Sequence, residues 1–81
     1  MEKSIYSAEY QRLCAFLRQL RREAGLTQVE VARRLDVPQS FVSKYETGER
    51  RLDVIELLHV VRALGSTLNE VVHQIAPGEN P

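Results

Sequence analysis

The 81-residue chain has one cysteine, no tryptophan, three prolines and four glycines, and its 11 basic side chains are cancelled by 11 acidic ones. A lone Cys14 permits neither an internal disulfide nor a cysteine-based zinc site. The opening MEKSIYSAEY lacks the apolar stretch of a secretory signal, so a reducing, cytoplasmic setting is expected. A glycine-rich phosphate loop is also missing, and His59 and His73 stand 14 positions apart, outside any H-E-x-x-H pattern. An enzyme reading therefore has no residues to stand on, and neither a metal nor a cofactor is expected.

What is present describes one folding unit. A hydrophobic fraction of 43% with 27% charged residues lies near the globular average, which argues against both a disordered chain and a membrane span. The chain is too short for two domains, and its thin core leaves room for a partner subunit to add to it. The balanced charge is unevenly spread. Residues 12 to 51 hold nine bases against five acids, a surplus of four, while residues 1 to 11 carry a deficit of one and residues 52 to 81 a deficit of three. A basic middle and an acidic end suit a one-sided binding surface.

Punctuation predicts five helices. Leu13, Leu17, Leu20 and Ala24 recur at helical spacing before Gly25, giving a first helix over roughly 7 to 24. Thr27 and Glu30 form a T-x-x-E capping box that opens a second helix over about 28 to 35. A third begins after Asp36-Val37-Pro38, since proline lacks only an N–H that a first turn leaves unpaired, and ends near Glu46, before Gly48. Asp53 with Glu56 starts a fourth that runs to Leu64 and is stopped by Gly65. Thr67 with Glu70 repeats the box for a fifth, carrying Leu68, Val71, Val72 and Ile75. The β-branched run from Val54 to Val61 competes as a strand, but no alternating pattern of useful length supports it. Residues 1–6 are expected to be an extension, 7–76 the domain and 77–81 a frayed tail.

The stretch from Gln28 to Glu46 is the most informative. Val31, Leu35, Val37, Val42 and Tyr45 are apolar where two crossing helices would meet, and small Ala32 sits where their backbones must approach. With Leu17-x-x-Leu20-Arg21-x-x-x-Gly25-Leu26-Thr27-Gln28 before it and Val42-x-x-Tyr45-Glu46-x-Gly48 closing it, this stretch resembles the helix-turn-helix of the lambda-repressor and Cro-like family, also called the xenobiotic-response-element type. The likeness continues through Leu57 to Gly65 and Leu68. It implies an all-α, five-helix DNA-binding fold. Two positions depart from the family's pattern: Asp36 stands where glycine is usual in the turn, and Pro38 where a serine or threonine often caps the recognition helix.

At 100° per residue, with Gln39 at 0°, Ser43 falls near about 40°, Ser40 near about 100° and Lys44 near about 140°, whereas Tyr45 and Val42 lie near about 240° and 300°. Polar and apolar faces thus separate, and the polar one has the chemistry to enter a major groove. Gln39 can pair with adenine, Lys44 can donate to guanine, and Ser40 or Ser43 can bond base edges or phosphate. The plain alternative is a solvated helix face. Phe41, near about 200°, borders both faces and either packs on the loop after the third helix or meets sugar or a thymine methyl. By the resemblance, Gln28 anchors a backbone phosphate at a helix N-terminus, Thr27, Arg50 and Arg51 are further phosphate contacts, and Arg21 with Glu46 is an internal ion pair.

These readings lead to a sequence-specific regulator of transcription that binds double-stranded DNA. A homodimer acting as a repressor on a pseudo-palindromic operator is the expected form, with Ile55, Leu58, Val72 and Ile75 as candidates for the subunit contact. The alternative is an antitoxin or adaptor module whose main partner is another protein, met through the acidic C-terminal third.

Overall fold

A computed structural model describes residues 8–79, with side chains through residue 78. The helices are α1 (Ala8–Glu23), α2 (Gln28–Leu35), α3 (Gln39–Thr47), α4 (Val54–Ala63) and α5 (Leu68–Ile75), and a single 3₁₀ turn follows at Pro77–Glu79. That turn occupies residues expected to fray. The first residue of the expected α1, Ser7, and the expected N-terminal extension lie outside the described residues.

Local chemistry sets the boundaries. Thr27 accepts the Glu30 N–H at 3.1 Å while the Glu30 carboxylate accepts the Thr27 N–H at 2.8 Å, and Asp53 and Glu56 make the same reciprocal pair at 2.7 and 3.0 Å. The third box is only half formed: Thr67 accepts from Glu70 N–H, with no return bond from the Glu70 side chain. Pro38 immediately precedes α3, as expected. It takes an extended backbone as the N-cap, offers no side-chain bond, and leaves the helix to begin at Gln39. The β-branched run is helical in α4, because its capping box and its buried valines outweigh local strand preference.

Left-handed backbone turns the chain at Gly25, Asp36, Gly48 and Gly65. Asp36 has φ 58° and ψ 47°, a conformation aspartate tolerates better than most side chains, and the next N–H, of Val37, closes on the Ala32 carbonyl at 3.0 Å. Gly48 ends α3 at φ 85°. A Cβ there would meet only Cys14 Sγ, at 3.9 Å, so backbone conformation rather than crowding is what favours glycine.

The helices close into a ring: α1 packs on α3, α3 on α2, α2 on α4, α4 on α5 and α5 on α1. Leu17, Val31, Val42, Tyr45, Val60, Val61 and Val71 fill its centre with 2% exposure or less, and Ala32 lets α2 and α3 cross closely. Each fully buried valine or leucine contributes about 1.5–3 kcal/mol relative to exposure. Because α3 is held on its inner side by both α1 and α2, its outer side is left for other work.

Candidate nucleic-acid interface

Three residues lock α3 in place. Val42, Tyr45 and Glu46 are buried, on one side of the helix, as the expected wheel requires for the first two. Gln39, Ser40 and Lys44 are exposed, and Ser43 is half-buried at the margin of the same polar side. The four proposed base readers therefore share one outward region of a rigidly mounted helix.

The mounting is ionic as well as apolar. Arg21 Nε donates to Glu46 Oε2 at 2.7 Å and its Nη2 to Oε1 at 3.1 Å, while Nη1 donates to the Leu26 carbonyl at 2.9 Å. The guanidinium thus fastens α1, the α1–α2 turn and α3 together. Glu46 holds the Arg21 guanidinium above its ordinary value, principally through this side-chain hydrogen bond. The Tyr45 phenol is buried, and burial pushes its pKa upward, so the ring remains a neutral core element.

Gln28 joins this network. Its Nε2 donates to Glu46 Oε1 at 3.0 Å, and its Oε1 accepts from Gln39 Nε2 at 3.3 Å. A proposed phosphate anchor and a proposed base reader thereby orient each other's amides. Beside them, the capping box of α2 occupies the Glu30 N–H, whereas helix geometry leaves the N–H groups of Gln28 and Val29 without intrahelical partners. The Thr27 hydroxyl accepts within the box and keeps its own proton to give.

The two loop arginines diverge. Arg51 is exposed, with its guanidinium 4.9 Å from the Tyr10 ring centroid. Arg50 is turned inward: Nη1 and Nη2 donate to Glu56 at 3.0 and 2.7 Å, and the guanidinium lies 4.4 Å over the Phe41 ring. Phe41 is half-buried and meets Tyr45 edge-on at 5.9 Å, so it packs on the loop after α3. Tyr10 donates its hydroxyl to the Arg50 carbonyl at 3.0 Å and clamps the loop to α1. Glu56 thus has a second role beside its capping box, one that the sequence does not reveal. The box is visible as Asp53-x-x-Glu56, but the pairing with Arg50 spans a loop and has no fixed spacing.

The profile of a helix-turn-helix domain family matches residues 12–74. An uncharacterized HTH-type transcriptional regulator, y4dJ, of Sinorhizobium fredii (strain NBRC 101917 / NGR234) is 45% identical over 53 residues, covering 65% of this chain and 69% of the relative. A solved structure of an XRE-family like protein from Pseudomonas syringae pv. tomato str. DC3000 superposes with a TM-score of 0.85 at 43% identity, covering 94% of this chain and 93% of that one. The chain belongs to the lambda-repressor-like, XRE-type helix-turn-helix family.

In this XRE-type chain α2 and α3 are the two helices of the motif, and the departures at Asp36 and Pro38 leave the turn between them intact. Among the described residues, no helix is long and apolar enough to cross a membrane, and no three His, Cys, Asp or Glu side chains gather as metal ligands.

Proposed function

We propose that the chain is a sequence-specific transcriptional regulator that inserts α3 into the major groove of duplex DNA. The carrying observation is the exposure of Gln39, Ser40 and Lys44 on a helix whose opposite side is fixed by Val42, Tyr45 and the Arg21–Glu46 pair. A probe that must discriminate bases needs such a rigid mount. Gln39, Ser40, Ser43 and Lys44 read base edges, with glutamine suited to adenine and lysine to guanine. Thr27 and Gln28 hold a phosphate at one end of α3. Arg50 and Arg51 serve the backbone beyond its other end, with Arg50 exchanging part of its Glu56 contact for phosphate.

Occupancy is the proposed mechanism of repression: two subunits place their recognition helices about 34 Å apart on successive grooves of a pseudo-palindromic site. Exposed Ile55 and Val72, with half-buried Leu58, support α4 and α5 as the subunit face, and exposed Val54 joins them. Ile75 belongs instead to the intramolecular core, against which it packs.

Selection of duplexes from a random pool tests this reading. Enrichment of paired half-sites with a fixed helical spacing is expected; a selected pool no different from the starting one would overturn DNA recognition. The same apolar residues favour a second reading, in which α4 and α5 engage a different protein. That association would be nearly salt-insensitive, whereas DNA affinity falls by about 0.9 log unit per log salt for each neutralised phosphate.

A further inference from the structure

The helix-turn-helix reading leaves part of the basic middle of the chain unused. Along α1, Gln11, Ala15, Arg18 and Arg22 recur at intervals that a helix places on one flank, and they line an open cleft closed from below by buried Cys14 and Glu46. Glu46 is also the acceptor for Gln28, which in turn accepts from Gln39. The cleft is therefore continuous, through side chains in direct hydrogen-bond contact, with the surface assigned to base reading. Arg21 neutralises Glu46, and Glu23, which accepts from Gln19 at 3.0 Å, offsets one further charge. Exposed Arg18 and Arg22 enter no ion pair among the described residues, so the flank keeps a positive surplus.

We infer that this flank of α1 is a second phosphate-binding strip, which takes the DNA strand bordering the groove on the Gln28 side. The inference rests on the DNA-binding reading and enlarges its footprint beyond the motif. Guanidinium groups are suited to this role, since their planar donors match phosphate oxygens and their charge releases counterions from the duplex. Neither arginine selects sequence. Their long side chains let them follow a backbone whose position is set by Gln28 and α3, so they add affinity for any duplex that α3 engages.

Salt titrations of the full chain with a selected duplex and with a random-sequence duplex test the strip. Arg18→Ala and Arg22→Ala are each expected to weaken both duplexes by the same factor. Each should also flatten the salt dependence by one phosphate, which is about 3.5-fold less loss of affinity over a fourfold rise in salt. Arg18→Lys and Arg22→Lys should retain the unmutated chain's slope. So should Arg12→Ala, on the α5 side of α1, where Arg12 donates to the Ile75 carbonyl at 3.4 Å. Both arginines are exposed, so unchanged melting of the alanine variants is expected and separates binding from folding. An unchanged slope, with Lys44→Ala still altering base preference, would overturn the strip and leave the DNA reading standing. A wild-type chain that binds neither duplex would remove both.

Discussion

Two arginine–glutamate pairs in this molecule have the same shortest contact, 2.7 Å, and opposite characters. At the joint of α1, α2 and α3, the Arg21 and Glu46 side chains are 12% and 2% exposed; at the loop before α4, those of Arg50 and Glu56 are 38% and 30% exposed. Distance does not separate them, but burial does. In the joint, each group has given up water and depends on its partner, so the pair fixes geometry even where its net contribution to stability is small. At the loop, solvent already screens both charges, and either can change partner at low cost. Recognition needs both kinds of contact. A fixed one holds α3 in register, and in the proposed complex an exchangeable one would hold Arg50 ready for a backbone phosphate.

The largest expected effect comes from Glu46→Ala. It leaves the largely enclosed Arg21 guanidinium without its carboxylate and releases Gln28, and such a break in a buried pair costs about 3–5 kcal/mol. A domain of this length is commonly stable by about 4–12 kcal/mol, so the variant should melt far lower and lose binding as a consequence of unfolding. Urea denaturation provides the measurement. A loss below about 1 kcal/mol would mean that the joint behaves as an exposed pair does.

Glu56→Ala probes the other pair. It removes a screened ion pair and the return half of the α4 capping box, together about 1 kcal/mol. Folding should survive, and Arg50, freed from its anion, should bind DNA more tightly and with little regard to sequence. Arg50→Ala should do the reverse, weakening all duplexes alike, whereas Lys44→Ala relaxes preference at one base position. If Glu56→Ala instead weakens all duplexes, Glu56 holds Arg50 in its working position rather than competing for it.

These two pairs also mark what a sequence can reveal. The helices were legible because caps and apolar spacing are local: Thr27 with Glu30, Asp53 with Glu56, and the run from Leu13 to Leu20 carry their own instructions. Arg21 with Glu46 was legible through the family pattern, since a separation of 25 positions gives no local signal. Gln28 with Gln39 and Arg50 with Phe41 were not legible, because their meeting depends on how a turn and a loop bend. Whether Pro38 caps α3 or opens it was left undecided by the sequence for a similar reason. Proline fits both the cap and the first turn, and only the backbone decides.

A smaller effect of opposite sign is expected inside the joint. The Tyr45 hydroxyl is buried and, among the described residues, receives no hydrogen bond and gives none. Removing it in Tyr45→Phe keeps the ring that meets Phe41 and should raise stability by about 1 kcal/mol, the lower end of the cost of an unpaired buried polar group. Thermal melting checks this. A fall of similar size would show that the hydroxyl takes part in positioning Glu46.

The smallest effect is a change with pH, and it belongs to the exposed pair. The Arg50 hydrogen bonds, followed by the Asp53 N–H, hold the Glu56 carboxyl below its ordinary value of 4.5, and the Thr27 backbone and side chain lower Glu30 likewise. A depressed folded-state value means that the folded chain binds the proton less readily than the unfolded chain. The stabilisation is therefore complete above about 4.5 and is lost as pH falls through the lower folded-state values. Urea midpoints should hold level from neutrality toward pH 5 and then decline. In Glu56→Gln the decline should be shallower, because one of the two groups no longer titrates, while Glu30 retains its share. An unaltered decline in that variant would assign the acid sensitivity to groups other than the loop pair, and would make Glu56 a neutral bystander to folding even while it holds Arg50.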